Sequence, residues 1–217
     1  MKKLIVSVMS LLVLTCFILV APVKADNKSI WLDNLFSGLS EEQLVVVYPD
    51  GAISYSDDVT RDYTQDFLIK EKAEIKTVAE ARESLSQKFP VSPMEMPRPT
   101  FRAAMPVFNR KSLALNEHYR SQPFSGSGWR FSGAMFYPQP GTGPYIQFRA
   151  IGDDGRIGNY NQAMNTYMLG RIEGTPIYNG QGWKYFFVGD SITNSNNALG
   201  YYTFNPVNGS VYEVRNI

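Results

Sequence analysis

Aromatic and amide side chains are the residues whose types and grouping suggest chemistry, and they concentrate after residue 106. Twenty Phe, Trp and Tyr residues lie there, interleaved with Asn, Gln and Arg. A flat apolar ring beside planar hydrogen-bonding groups is a common lining of grooves for sugars or peptides. A small β domain buries most of its rings, but neighbouring strand residues point to opposite faces, so some rings turn outward. We predict as ligand-binding residues Trp183, Tyr202, Trp129 and Tyr185.

Catalysis has weaker support in the sequence. His118 is the single histidine, and Glu117 is its neighbour. The two could act together as a general acid and base, but neighbours in sequence do not face each other on a strand or helix. We therefore expect His118 to be a solvent-exposed residue in a polar segment just before the β domain. No G-x-S-x-G sequence marks a nucleophile, and the few acidic residues after residue 106 lack a spacing that indicates glycoside hydrolysis. We therefore predict no catalytic residues and expect a binding protein rather than an enzyme.

Metal and cofactor sites are not indicated either. Cys16 is the only cysteine, and it lies in a segment that we expect to be removed. The glycine-containing stretches at 126–128 and 141–143 lack the lysine and the strand–loop–helix setting of a phosphate loop. The aspartates of residues 57–66 do not have the spacing of an EF-hand. We expect no metal ion and no organic cofactor.

Residues 1–25 have the composition of a secretory signal peptide. Two lysines precede an apolar run over residues 4–20, and Val23-Lys24-Ala25 is a small-residue cleavage site. Cleavage there leaves Asp26 at the start of the mature chain. An uncleaved membrane anchor is the alternative, since residues 4–23 are just long enough to cross a bilayer. We predict a secreted, extracellular protein that meets the membrane only through this segment.

Charge and composition divide the mature chain at a group of prolines. Residues 26–102 carry fourteen acidic and nine basic side chains, a net charge of −5, whereas residues 106–217 carry six and nine, a net charge of +3. Five prolines between residues 90 and 106 favour an extended chain. We predict an acidic α+β N-terminal region over 26–89 that is a candidate propeptide, a proline-rich linker over 90–106, and an aromatic-rich β domain over 107–217.

The elements that must position the aromatic residues are mostly strands. Alternation of apolar and polar residues predicts strands at 129–137 and 145–151, and further strands are predicted at 182–188, 199–205 and 210–214. Asn208-Gly209 predicts a hairpin between the last two. Before the prolines we predict strands at 44–48 and 52–55 and a helix from about 78 to about 88 that begins at a Thr77–Glu80 capping box.

These patterns predict a mainly β fold, with a C-terminal antiparallel β-sandwich-like domain preceded by the small α+β N-terminal region. We predict a binding module that recognises a cell-surface glycan or an anionic cell-wall polymer, and no nucleic acid. The cysteine-free mature chain and the two-lysine start are compatible with a bacterial origin. The alternative is a secreted antibacterial toxin or hydrolase made as a proprotein, with Glu173, His118 and the arginines of the β domain as the first candidates for catalysis.

Overall fold

The computed structural model describes residues 27–89, 109–153, 160–165, 176–177, 182–188 and 198–217. Over these residues the protein is mainly β, with two sheets whose strands are nearly all antiparallel, which confirms that part of the predicted fold class. The predicted signal peptide and proline-rich linker lie outside the described residues. None of the described helices is long and apolar enough to cross a membrane.

The chain before the prolines forms helices and short strands. They are α1 (Asn27–Leu35), β1 (Leu44–Val47), β2 (Ile53–Tyr55), α2 (Val59–Asp62), α3 (Gln65–Glu71), β3 (Glu74–Thr77) and α4 (Val78–Lys88). The predicted capping box of α4 is confirmed, because the Thr77 hydroxyl accepts the Glu80 N–H and the Glu80 carboxylate accepts the Thr77 N–H. A tight turn joins β1 and β2, closed by a 3.0 Å hydrogen bond from the Gly51 N–H to the Tyr48 carbonyl.

The chain after the prolines is built from strands. They are β4 (Arg110–Leu113), β5 (His118–Arg120), β6 (Trp129–Phe131), β7 (Met135–Pro138), β8 (Tyr145–Ile151), β9 (Tyr160–Asn165), β10 (Pro176–Ile177), β11 (Lys184–Phe187), β12 (Leu199–Phe204) and β13 (Val211–Asn216). The strand predicted over 129–137 is interrupted, because Ser132 donates its N–H to the Tyr201 carbonyl and its hydroxyl to the Ala134 carbonyl. These bonds bend the chain between β6 and β7.

The strands form two sheets. The larger has seven strands in the order β11-β8-β13-β5-β2-β1-β3. The smaller has the order β10-β9-β12-β7-β4, with β6 also paired to β12, and its β4–β7 pair is parallel. Because β2 pairs with β5, the seven-stranded sheet takes strands from both sides of the proline-rich segment. The division into regions 26–89, 90–106 and 107–217 as separate folding units stays a prediction.

The hairpin predicted at Asn208-Gly209 is wrong, because β12 and β13 belong to different sheets. Gly209 does adopt the positive φ that a turn of this kind needs, at 83°. The turn is, however, fixed by hydrogen bonds to a distant part of the chain. Gly209 donates its N–H to the Phe124 carbonyl, and Phe124 donates its N–H to the Ser210 carbonyl at 2.7 Å. The turn therefore carries the chain from one sheet to the other.

Two apolar clusters determine which face of the seven-stranded sheet is open. The larger cluster contains residues of both sheets, such as Phe148 and Tyr212 from one and Phe136 and Tyr201 from the other, and we call this side the core face. On the opposite side, the outer face, α1 and α4 cover β1, β2 and the start of β13 in a second cluster around Trp31. The rest of the outer face, over β5, β13, β8 and β11, carries the polar side chains described next.

Candidate functional site

The outer face of the seven-stranded sheet carries two rows of side chains that run across neighbouring strands. Register partners on adjacent strands point to the same face, so each row is a set of direct neighbours. The first row is Tyr185, Gln147, Arg215, His118 and Tyr55, on β11, β8, β13, β5 and β2. The second is Arg149, Glu213 and Arg120, on β8, β13 and β5. We call these residues the outer-face rows.

Glu213 lies at the centre of the rows and is fully buried. Its Oε1 accepts the Tyr55 hydroxyl proton and lies 2.8 Å from His118 Nδ1. Its Oε2 accepts a bond of 2.5 Å from Arg149 Nε, and Arg120 Nε lies 3.4 Å from Oε1. Both carboxylate oxygens are therefore occupied by donors of the protein itself.

The electrostatics of this centre favour an ionised carboxylate. Burial alone would raise the pKa of Glu213, because it removes water from the charged form. The hydrogen bond from His118 and the charges of Arg120 and Arg149 outweigh burial and lower the pKa of Glu213 to about 2. Burial, together with the neighbouring Glu213 charge, raises the pKa of Tyr55. The tyrosine thus stays a neutral donor to an ionised acceptor.

Arg120 connects the rows to the N-terminal part of the chain. Its side chain is buried and donates from Nη1 to the carbonyls of Leu35 and Ser37, each at 2.8 Å, and from Nη2 to the Tyr55 hydroxyl at 3.0 Å. These carbonyls lie at the end of α1, where helix carbonyls lack partners within the helix. Arg120 therefore holds α1 and β2 against the strands that carry Glu213 and His118.

Trp183, the first of the predicted ligand-binding residues, packs over these rows. Its half-buried ring lies 4.5 Å from the Arg149 guanidinium and 4.0 Å from the Arg215 guanidinium. The His118 ring meets it edge-on at 5.8 Å. Guanidinium groups at such distances are attracted to the face of an indole ring. The two arginines therefore set the position of Trp183 on the outer face.

Tyr185, another predicted residue, lies beside Trp183 at the edge of the sheet. It is 64% exposed, and Phe187, two residues along β11 on the same face, is 62% exposed. Tyr145 pairs with Phe187 across the strands, with ring centroids 5.4 Å apart. Phe186 points to the core face and packs on Phe148, as alternation requires. Tyr145, Tyr185 and Phe187 form an exposed group that we call the aromatic edge.

The other two predicted residues lie on the six-stranded sheet, away from the outer-face rows. Tyr202 is only 4% exposed and packs in a small cluster with Phe131 and Met135. Trp129 is 46% exposed, with its ring 5.7 Å from that of Tyr202. The structure thus brings Trp183 together with Tyr185, and Trp129 together with Tyr202, on two different sheets. The burial of Tyr202 gives its ring a packing role.

The prediction of a solvent-exposed His118 is wrong. Its ring is half-buried, stacks on Tyr55 at 4.6 Å and contacts the Glu213 carboxylate. Glu117 does point away from His118, as expected, since its carboxylate accepts bonds from the Tyr63 hydroxyl and the Ala114 N–H. Burial raises the pKa of Glu117. The acidic partner of His118 thus comes from a strand far along the chain.

Sequence reasoning missed Glu213, Arg149 and Arg215 as members of this site. The sequence does contain a pattern that indicates this site. Three short strand segments each consist of a polar residue, then an apolar or aromatic residue, then an arginine. These segments are His118-Tyr119-Arg120, Gln147-Phe148-Arg149 and Glu213-Val214-Arg215. Period-two alternation places both polar ends of each segment on one face. Three such segments in one sheet predict a charged face.

Comparisons with known proteins give this site no precedent. No protein-family model matches the chain, and neither curated proteins nor solved structures yield a similar protein. Within the residues that the structure describes, no group of three or more His, Cys, Asp and Glu side chains is placed to hold a metal ion. The chemistry of the outer-face rows and the aromatic edge is therefore the basis for assigning a function.

Proposed function

We propose that this protein is a secreted extracellular binding protein that recognises a cell-surface or carbohydrate ligand through the aromatic edge and Trp183. The export signal in the sequence supports secretion. The single observation that carries the binding proposal is the aromatic edge, three large rings between 46% and 64% exposed on one face, next to Trp183 and two arginines. Contiguous exposed apolar surface rimmed by polar groups is typical of a binding site.

The chemistry of this surface suits a saccharide better than an apolar ligand. Sugar rings have flat C–H faces that pack on aromatic rings and hydroxyl groups that need hydrogen-bond partners. Tyr185 offers an exposed ring, and Arg215, two positions away in the first row, offers a planar guanidinium group. We therefore place the ligand across β11 and β8, with Trp183 at its centre.

We further propose a sandwich-like arrangement of the two sheets. It is supported by the larger apolar cluster, which contains residues from both sheets. Two sheets that share one layer of buried side chains are characteristic of β-sandwiches. In this arrangement, the outer-face rows and the cluster around Tyr202 would lie on opposite outer surfaces of the protein.

Binding of the mature chain to purified cell walls and soluble oligosaccharides tests the proposed function. Tyr185→Ala should weaken binding about tenfold, which corresponds to about 1.4 kcal/mol, because it removes a ring from the proposed contact. Its effect on stability should stay within about 0.5 kcal/mol, since the ring is mostly exposed. Trp183→Ala should weaken binding at least as much.

Trp129→Ala is the matched control, because Trp129 is also a partly exposed tryptophan but lies on the other sheet. It should bind like the wild type. Wild-type affinity of both Tyr185→Ala and Trp183→Ala would refute the proposal. A loss at Trp129→Ala with none at Tyr185→Ala would instead move the site to the six-stranded sheet.

A second candidate function is a secreted antibacterial toxin or hydrolase made as a proprotein. The contact between His118 Nδ1 and the buried Glu213 favours it, because a carboxylate that orients an imidazole is part of many general bases. The sheet argues against removal of a propeptide, since cleavage near residue 106 would take β1, β2 and β3 with it. The candidate Glu173 lies outside the described residues.

Incubation of the protein with cell walls separates the two functions. A hydrolase should release soluble sugars or peptides, and His118→Gln should abolish the release while the variant still folds. Mass spectrometry of the secreted protein should find a mature chain that begins near Asp26 for the binding protein and near residue 106 for a processed proprotein. Intact walls and a chain beginning near Asp26 would refute the hydrolase.

A further inference from the structure

We propose that the saccharide bound at this site is acidic, and that its carboxylate or phosphate group is held by Arg215 next to Trp183. This inference rests on the proposed function and specifies the class of its ligand. It follows from the charges of the outer-face rows, from the partners of each arginine, and from an amide donor beside Arg215.

Positive charge is in excess in the outer-face rows. Three guanidinium groups, those of Arg120, Arg149 and Arg215, accompany a single carboxylate, that of Glu213. The four side chains therefore carry a net charge of about +2 when all are ionised. A low-polarity, partly buried face strengthens the attraction between this charge and an anion, compared with the same charge in water.

Arg215 is the arginine of the outer-face rows whose charge is not neutralised by a carboxylate of the described residues or buried within the protein. Arg120 is buried against carbonyls and a hydroxyl, and Arg149 is paired with Glu213 at 2.5 Å. Arg215, half-buried, donates Nε to the Gln147 amide oxygen at 2.7 Å, and no carboxylate of the described residues pairs with it. Its guanidinium offers further N–H groups in the planar arrangement that matches carboxylate and phosphate oxygens.

The Gln147 amide provides a second, independent indication. Its side chain is fully buried, and its Nε2 has no hydrogen-bond partner among the described residues. The bond from Arg215 to Oε1 fixes which end of the amide is the donor. A buried donor without an acceptor is costly and rare in folded proteins. An anionic oxygen bound beside Arg215 would give this row the acceptor that it lacks.

The position of Trp183 explains why the anion should belong to a sugar. The indole ring lies 4.0 Å from the Arg215 guanidinium, and Tyr185 is two positions from Arg215 in the first row. A ring that packs on Trp183 and Tyr185 would thus bring an attached acidic group to Arg215. A free anion would use Arg215 alone and gain nothing from the aromatic residues.

Calorimetric titration of the mature chain with three probes tests this inference. The probes are oligogalacturonate, which carries carboxylates, its methyl ester, which has the same sugars without the charge, and poly(glycerol phosphate), which carries phosphates without sugar rings. The wild type should bind oligogalacturonate at least tenfold more tightly than the ester. Stronger binding of poly(glycerol phosphate) than of either saccharide would contradict the requirement for a sugar ring.

Arg215→Gln should weaken binding of the acid at least tenfold more than binding of its ester, so that the difference between the two affinities disappears. Arg215→Lys, which keeps the charge without the planar fork, should retain part of the difference. Arg61→Gln is the matched control, because the Arg61 side chain is 70% exposed on α2, and it should bind like the wild type.

The outcomes separate this inference from the proposed function. Equal wild-type affinity for acid and ester would overturn the acidic ligand, whereas a loss in Tyr185→Ala would still support saccharide binding. An equal loss for both probes in Arg215→Gln would mean that Arg215 only supports Trp183, and would also overturn the inference. If none of the probes bound, but neutral glycans bound in a way that depends on Tyr185, the acidic ligand would be excluded and the proposed function would stand.

Discussion

Glu213→Gln should change how the stability of the protein depends on pH. The substitution keeps the size of the buried side chain but removes the negative charge that His118, Arg120 and Arg149 surround. The pKa of Glu213 falls from an ordinary value of 4.5 to about 2 in the folded protein. A shift of this size corresponds to about 3 kcal/mol of stability.

The sign follows from the lowered pKa. Because the folded protein favours the ionised carboxylate, this contribution is fully present above the unfolded value of 4.5 and is lost as the pH falls towards about 2. At about pH 6, Glu213→Gln should therefore be less stable than the wild type by roughly 3 kcal/mol, in line with the cost of breaking a buried ion pair. The gap should close as the wild-type carboxyl becomes protonated.

Urea denaturation of both proteins between about pH 6 and about pH 2 measures this gap. The other carboxyl groups contribute equally to the pH dependence of both proteins, so their contribution cancels in the difference between the two free energies of unfolding. Glu80→Gln is the control, since Glu80 is exposed and glutamine can also serve in a capping box, so its gap should be much smaller at every pH. A gap for Glu213→Gln that stays constant across the range would refute the reasoning.

Three further outcomes are expected. Tyr202→Ala should lower the free energy of unfolding by about 3–5 kcal/mol because the ring is buried beside Phe131, and a loss below about 1 kcal/mol in urea denaturation would contradict this. Thr77→Ala should cost about 1 kcal/mol through the lost helix cap and Thr77→Ser much less, and equal losses would contradict the capping role. A fragment of residues 107–217 should melt at a lower temperature than a chain of residues 26–217, because β5 loses its neighbour β2. Equal melting temperatures in circular dichroism would contradict this.

The positions of the helices and strands are easier to predict from this sequence than the pairing of the strands. Period-two alternation located β8, and the Thr77–Glu80 capping box located α4, because both patterns depend on residues close together in the chain. The failed hairpin at Asn208-Gly209 shows the limit of such patterns. A turn signal specifies a local bend, whereas the sheet that each flanking strand joins is decided by distant contacts such as that with Phe124.

The candidate site was only partly predictable for the same reason. Trp183 and Tyr185 were identified as candidates from composition and strand alternation alone. Their separation from Trp129 and Tyr202 depends on which sheet each strand joins. The pairing of His118 with Glu213 joins residues 95 positions apart, and nothing near either residue specifies it. A register between distant strands is set by the whole core, so neither residue indicates its partner.

The place of β13 in the seven-stranded sheet has a consequence for the order in which the protein folds. β13 follows the other strands of this sheet in the chain, yet it lies between β8 and β5. During synthesis, the pair β11 and β8 therefore cannot join the group β5, β2, β1 and β3 until β13 has been made, because β13 lies between them. Contacts between such distant segments form slowly, because a long loop must close first. A nascent chain that stops before residue 211 holds two half-sheets with open edges, and open edges pair readily with other chains.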